Sequence, residues 1–181
     1  MRHRSLFASL PSLALALGLL AAIPLGCGVT CSDNQCVGGL EWLGDARSGT
    51  LLPGTYAFEV ELDGTHLAFE CEVAETAMSS ECGEVTRLEG DGDFELEAFV
   101  QLADDGLPRP GDHAGRIVVR ANEPVDGGVR GPELVRIQAE RDGFPIVDES
   151  YELTYERDEA YHGDEACGFC DLTQTRMYEI E

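Results

Sequence analysis

The sequence predicts an all-β sandwich, and three observations carry the prediction. Apolar and polar residues alternate with a period of two through most of the chain beyond residue 54, as expected of strands with one buried face. Turn signals separate the alternating runs, most clearly Asp63-Gly64 and Asp142-Gly143. No stretch after residue 26 has the 3.6-residue apolar period of an amphipathic helix. Eight or nine short strands with turns between them then define an antiparallel sandwich, with a small β-barrel as the alternative.

The elements follow in order. Residues 27–50 are rich in glycine and read as a tether leading to a first short strand at Leu40–Leu43. Trp42, the only tryptophan, reads as a packing anchor. From 51 to 181 the sandwich domain follows. Tyr56, Phe58, Val60 and Leu62 share one face of a strand, and Leu67, Phe69, Cys71 and Val73 share one face of the next. A two-residue turn at Asp63-Gly64 pairs Leu62 with Thr65. It therefore sets Val60 against Leu67, Phe58 against Phe69, Tyr56 against Cys71 and, on the wet side, Glu61 against His66. Further strands are expected at Glu84–Leu88, Phe94–Leu102 and Gly115–Ala121, with loops at Ala103–Ala114 and Asn122–Pro132. Glu133–Arg141 and Phe144–Tyr155 flank the second Asp-Gly turn. Strict pairing there sets Ile137 against Asp148, which a bulge near Pro145 would repair. Glu156–Glu165 reads as an acidic loop and Thr173–Ile180 as a last strand. An immunoglobulin-like arrangement of about eight strands is the expected architecture.

Composition narrows the function classes. The chain has 181 residues, 12 Arg and no Lys, 35 acidic residues and a formal net charge of −23. Apolar residues make up 43% of it, enough for a real core. Such acidity excludes a basic phosphate-binding footprint, so no nucleic-acid partner is expected. It equally disfavours adhesion by charge to an anionic membrane.

The first 26 residues differ from the rest. Arg2 and Arg4 form a basic n-region, and an apolar h-region rich in Leu and Ala runs from Leu6 to Leu25. This is the layout of a secretory signal peptide. The segment ends in Ile23-Pro24-Leu25-Gly26-Cys27, which resembles the lipobox of bacterial lipoproteins, where a small residue precedes a cysteine that receives lipid. Pro24 occupies the place of the usual aliphatic residue, and Leu25 lies one place nearer the cysteine. The resemblance implies that Cys27 becomes an acylated N-terminus, anchored through more than one chain. Gly28 follows instead of the Asp that retains some relatives in the inner membrane, which favours the outer membrane. Ordinary cleavage near Gly26–Gly28 and full secretion is the alternative.

Seven cysteines become six once Cys27 is set aside for lipid. Export would place Cys31, Cys36, Cys71, Cys82, Cys167 and Cys170 in an oxidising compartment, where disulfides persist. Cys71 ends one expected strand and Cys82 lies just before the next, so a Cys71–Cys82 staple is favoured. The other four pair either between the two ends of the domain or locally, as Cys31–Cys36 and Cys167–Cys170. Cys167-Gly168-Phe169-Cys170 lacks the following helix that would make a C-x-x-C a redox centre. A zinc site from Cys31, Cys36, Cys167 and Cys170 with His162 is a further option, less suited to an exported chain.

No G-x-S-x-G, H-E-x-x-H or P-loop signature is present, and His66, His113 and His162 fall in separate segments. Asp91, Asp93 and Glu95 lie in an acidic run able to offer oxygens to calcium, without EF-hand spacing; an acidic turn is the plainer reading. Glu156, Asp158, Glu159, Asp164 and Glu165 form a second acidic run with the same plain reading. No cofactor and no catalytic residue is expected.

Taken together, Gly26-Cys27-Gly28, Cys31, Cys36, Pro53-Gly54-Thr55-Tyr56, Phe69-Glu70-Cys71 and Cys167-Gly168-Phe169-Cys170 resemble a broad group of small bacterial lipoproteins. In that group a cysteine-rich start leads into an immunoglobulin-like β-sandwich. The resemblance implies a non-enzymatic envelope lipoprotein with a structural or binding role. A calcium- or glycan-binding module and a secreted domain without lipid are the alternatives.

Overall fold

The computed structural model describes residues 38–103, 106–107, 109–159 and 168–180. The fold is all-β, with two sheets packed as a sandwich. Its strands are β1 (Leu40–Ala46), β2 (Gly54–Leu62), β3 (Thr65–Val73), β4 (Glu81–Cys82), β5 (Thr86–Glu89), β6 (Glu95–Gln101), β7 (Arg116–Val125), β8 (Gly128–Arg130), β9 (Leu134–Arg141), β10 (Phe144–Glu152), β11 (Arg157–Asp158), β12 (Phe169–Asp171) and β13 (Gln174–Ile180). A 3₁₀ turn covers Ala77–Ser79.

The second sheet runs β10-β9-β2-β3-β4, with β5 also on β3. Its centre is the β2–β3 hairpin, in the register expected: Val60 faces Leu67, Phe58 faces Phe69, Tyr56 faces Cys71 and Glu61 faces His66. The inward residues from Tyr56 to Leu62 are almost wholly buried. Both Asp-Gly turns hold a non-glycine residue at positive φ, Asp63 at 47° and Asp142 at 52°, which aspartate tolerates better than most. Each aspartate also reaches beyond its own turn. The Asp63 carboxylate accepts the N–H groups of Glu133 and Leu134, and Asp142 accepts that of Thr55. The two turns thus fasten the starts of β9 and β2.

In the β9–β10 hairpin the register shifts between Pro145 and Val147. The bulge sets Val147 against Ala139 and moves Asp148 to the outer face, opposite Gln138 and bound to Arg136. Glu149 takes the place opposite Ile137. An inward charge on an edge strand resists pairing with a second chain.

The first sheet runs β11-β12-β8-β7-β1-β13, with β6 on β7. Two of its pairings are parallel, β1 with β13 and β12 with β8, where the sequence suggested an antiparallel arrangement throughout. No local turn joins these partners, so nothing near them in the sequence announces the pairing. Three further readings are revised. Leu40–Ala46 is an interior strand between β7 and β13, part of the sandwich rather than of the tether. Asn122–Pro132 is a hairpin across Asp126-Gly127, because β7 continues to Val125 and pairs with β8; Pro124 and three glycines had masked it. Arg157–Asp158, expected within the acidic loop, pairs with β12.

The core lies between the sheets. Trp42 is fully buried, edge-on to Phe58 at 6.0 Å and stacked near Tyr178 at 6.3 Å. Phe58 stacks on Phe69 at 4.8 Å. Leu96, Ala98, Val100 and Leu102 of the β6 segment pack against this cluster from one side.

Candidate functional site

The cysteines are placed first. Cys71 and Cys82 stand opposite one another in β3 and β4 and form a disulfide. Cys170, 2% exposed in β12, is also disulfide-bonded. Cys27, Cys31, Cys36 and Cys167 lie outside the described residues.

The calcium candidates do not converge. Asp91 is exposed, the Asp93 carboxylate lies 3.7 Å from Arg87, and Glu95 stands opposite Asn122 in β6. The turn carrying them is tied down by the Gly92 N–H, which donates to Thr65 Oγ1. Among the described residues no group of three or more His, Cys, Asp or Glu is placed to hold a metal ion. His66 Nε2 lies 3.8 Å from Glu61, the cross-strand pair expected. His113 Nδ1 lies 2.6 Å from the Glu75 carbonyl and joins its loop to the 3₁₀ segment. His162, Asp164 and Glu165 are outside the described residues.

The structure instead assembles a polar cleft that sequence reasoning missed. It measures about 470 Å³ and is lined by Gly131, Glu133, Glu152, Tyr155, Arg157 and Asp171. Asp171 is only 3% exposed. Its Oδ1 accepts from Arg157 Nε at 2.6 Å, and its Oδ2 accepts from Arg157 Nη2 at 3.1 Å and from the Gly131 N–H at 3.3 Å. This two-pronged pairing is the geometry in which a guanidinium and a carboxylate satisfy each other best. The Arg157 guanidinium also sits over the Phe169 ring, 4.0 Å from its centroid.

Tyr155 forms the opposite wall, and its hydroxyl donates to the Pro132 carbonyl at 2.9 Å. Burial pushes the Tyr155 hydroxyl well above its ordinary range, and the carboxylates of Asp63 and Asp171 push it further. Gly131 has no side chain because the Tyr155 ring occupies that space. The cleft's central polar groups are therefore mutually bonded. The arrangement fixes the β11–β12 edge and presents Glu133 and Glu152 at its mouth. Nothing in the spacing of these residues marks the cleft in the sequence.

A second, apolar cavity of about 390 Å³ lies at one end of the sandwich, between Leu51, Leu52, Tyr56 and Ile180. The ion pair of Arg47 with Glu179 lies beside it.

Fold and site define an all-β sandwich with a β3–β4 disulfide and a self-paired polar cleft. No family model, no curated protein and no solved structure matches the chain. Among the described residues no helix is long and apolar enough to cross a membrane.

Proposed function

We propose that this chain is a non-enzymatic lipoprotein of the bacterial cell envelope, in which acylated Cys27 carries the sandwich at a membrane surface in a structural or binding role. The observation that supports this most is the sandwich's use of disulfides. Cys71–Cys82 and the bonded Cys170 belong to an oxidising compartment, and the n-region, h-region and Gly26-Cys27 of the sequence supply a route to one. Removing residues 1–26, which hold two Arg and no acid, takes the formal charge from −23 to −25. That charge keeps a tethered domain soluble and clear of anionic headgroups. Gly28 supports the outer membrane as the destination.

Metabolic labelling with a radioactive fatty acid in a Gram-negative host tests the reading. The expected result is label on the wild-type chain, recovered with outer membranes, and none on Cys27→Ser. Absence of label on the wild type, with the chain in the medium, would establish a secreted soluble domain instead.

A further inference from the structure

Two strands end the sandwich on the same side, and only one of them is guarded. β10 carries Pro145, the bulge between Pro145 and Val147, and Glu149 opposite Ile137, all devices that keep an edge from pairing with another chain. β13 lies across from it, joined by the Tyr178 hydroxyl to the Ile146 carbonyl. It has no proline, no bulge and no lysine. Among the described residues it pairs with β1 alone.

The backbone of β13 faces outward at fixed positions. The Gln174 N–H donates to Gly39 O, and Ile180 O accepts from the Arg47 N–H. Alternate residues of a strand face each neighbour, so Gln174, Arg176, Tyr178 and Ile180 bond β1. Thr175, Met177 and Glu179 direct their main-chain groups to the open side, where Thr175 O takes a long bond of 3.5 Å from Arg176 Nη1. The same three residues are exposed, Met177 at 68%.

Met177 also ends an apolar row on the outer face of its sheet. Phe99 stands opposite Val118, Val118 opposite Leu43, and Leu43 opposite Met177. Val118 and Leu43 are buried although they lie outside the core between the sheets. Ion pairs of Arg116 with Asp45 and of Arg120 with Glu41 flank the row, and the Arg120 guanidinium lies over the Phe99 ring. The row is covered as far as β1 and open at β13.

We propose that β13 is a self-pairing edge: two copies of the chain join antiparallel about a two-fold axis at Met177, and the sheet continues from one protomer into the next. A two-fold contact sets a surface against itself, and this strand complements itself. Met177 meets the second copy's Met177, Thr175 meets its Glu179, and Arg176 meets its Tyr178. No like charges stand opposite one another. Glu179 is already paired with Arg47, and Arg176 with Glu179 leaves the strand without net charge. In this register the outward groups of Thr175, Met177 and Glu179 coincide, so that each facing pair exchanges both main-chain bonds. The apolar row runs on into the second copy.

Single cysteines in the full chain test this under mild oxidation. The oxidant is added after cell lysis, so the result does not depend on where the chain resides. High salt screens the repulsion between two chains of charge −23. Met177→Cys sets its two Cα atoms about 5.5 Å apart, within disulfide reach. Thr175→Cys sets its two copies roughly 14 Å apart along the strands, beyond reach. Met177→Cys is expected to give about tenfold more reducible dimer than Thr175→Cys, which should stay at the wild-type level. Thr175→Cys and Glu179→Cys, co-expressed with different tags, should cross-link to each other; this pair serves alone if Met177→Cys does not fold. No dimer above wild type from either arrangement would overturn the proposal. Equal cross-linking of Thr175→Cys alone would also overturn it, by showing a parallel register or random collision.

Discussion

Single side chains decide much of the stability. Phe58 sits between Phe69 and Trp42 with 1% of its surface exposed. Phe58→Ala is expected to cost about 3–5 kcal/mol, from lost burial plus the cavity left behind, read from the midpoint of urea unfolding. At the cleft, the two partners of the ion pair are not equivalent. Arg157→Ala strands a buried carboxylate with one weak N–H partner, whereas Asp171→Asn keeps the shape and leaves Arg157 partly open to water. Arg157→Ala is thus expected to lower the melting temperature more than Asp171→Asn does. The tyrosines set an alkaline limit. Burial raises Tyr56, Tyr151 and Tyr155 above the ordinary tyrosine value. A raised native value means the folded state binds more protons than the unfolded one above about pH 10. The stability they add is complete below that pH and is lost as pH rises beyond it. Tyrosinate absorbance from these three should therefore appear together with unfolding; their titration in the folded chain would contradict the burial argument.

At the scale of elements, β1 depends on a missing side chain. A Cβ on Gly44 would stand 2.6 Å from the Trp42 ring and 2.7 Å from Ile180 Cδ1. Gly44→Ala is expected to destabilise by about 1–3 kcal/mol through overpacking, measured by urea unfolding. The β2–β3 hairpin was legible residue by residue, because a two-residue turn and one buried face determine the same register. The bulge near Pro145 was legible from the mismatch of Asp148 with Ile137, but its outcome was not: it turns Asp148 outward, sets Val147 against Ala139 and brings Glu149 opposite Ile137. What escaped was non-local. The parallel partner of β1 lies at the far end of the chain. The cleft joins Gly131, Tyr155, Arg157 and Asp171 from three segments, with no spacing that marks a site. The reach of Asp63 and Asp142 to neighbouring strands was hidden as well, since a turn motif specifies its own hairpin and says nothing of the next strand.

For the whole molecule, the disulfides and the charge describe one design. A sandwich of this acidity repels itself, and covalent staples offset part of that cost by limiting the unfolded chain. Removing the β3–β4 staple in Cys71→Ala/Cys82→Ala is expected to cost about 2–3 kcal/mol for so short a loop. Comparing urea midpoints of oxidised wild type and variant checks it. The central claim, an exported and lipid-anchored sandwich, is tested most directly by the intact mass of the full-length chain recovered from a Gram-negative envelope. The account predicts loss of residues 1–26, added mass of a diacylglyceryl group and an acyl chain on Cys27, and no free thiol among the other six cysteines. An unmodified Cys27, or thiols that alkylate without reduction, would contradict it.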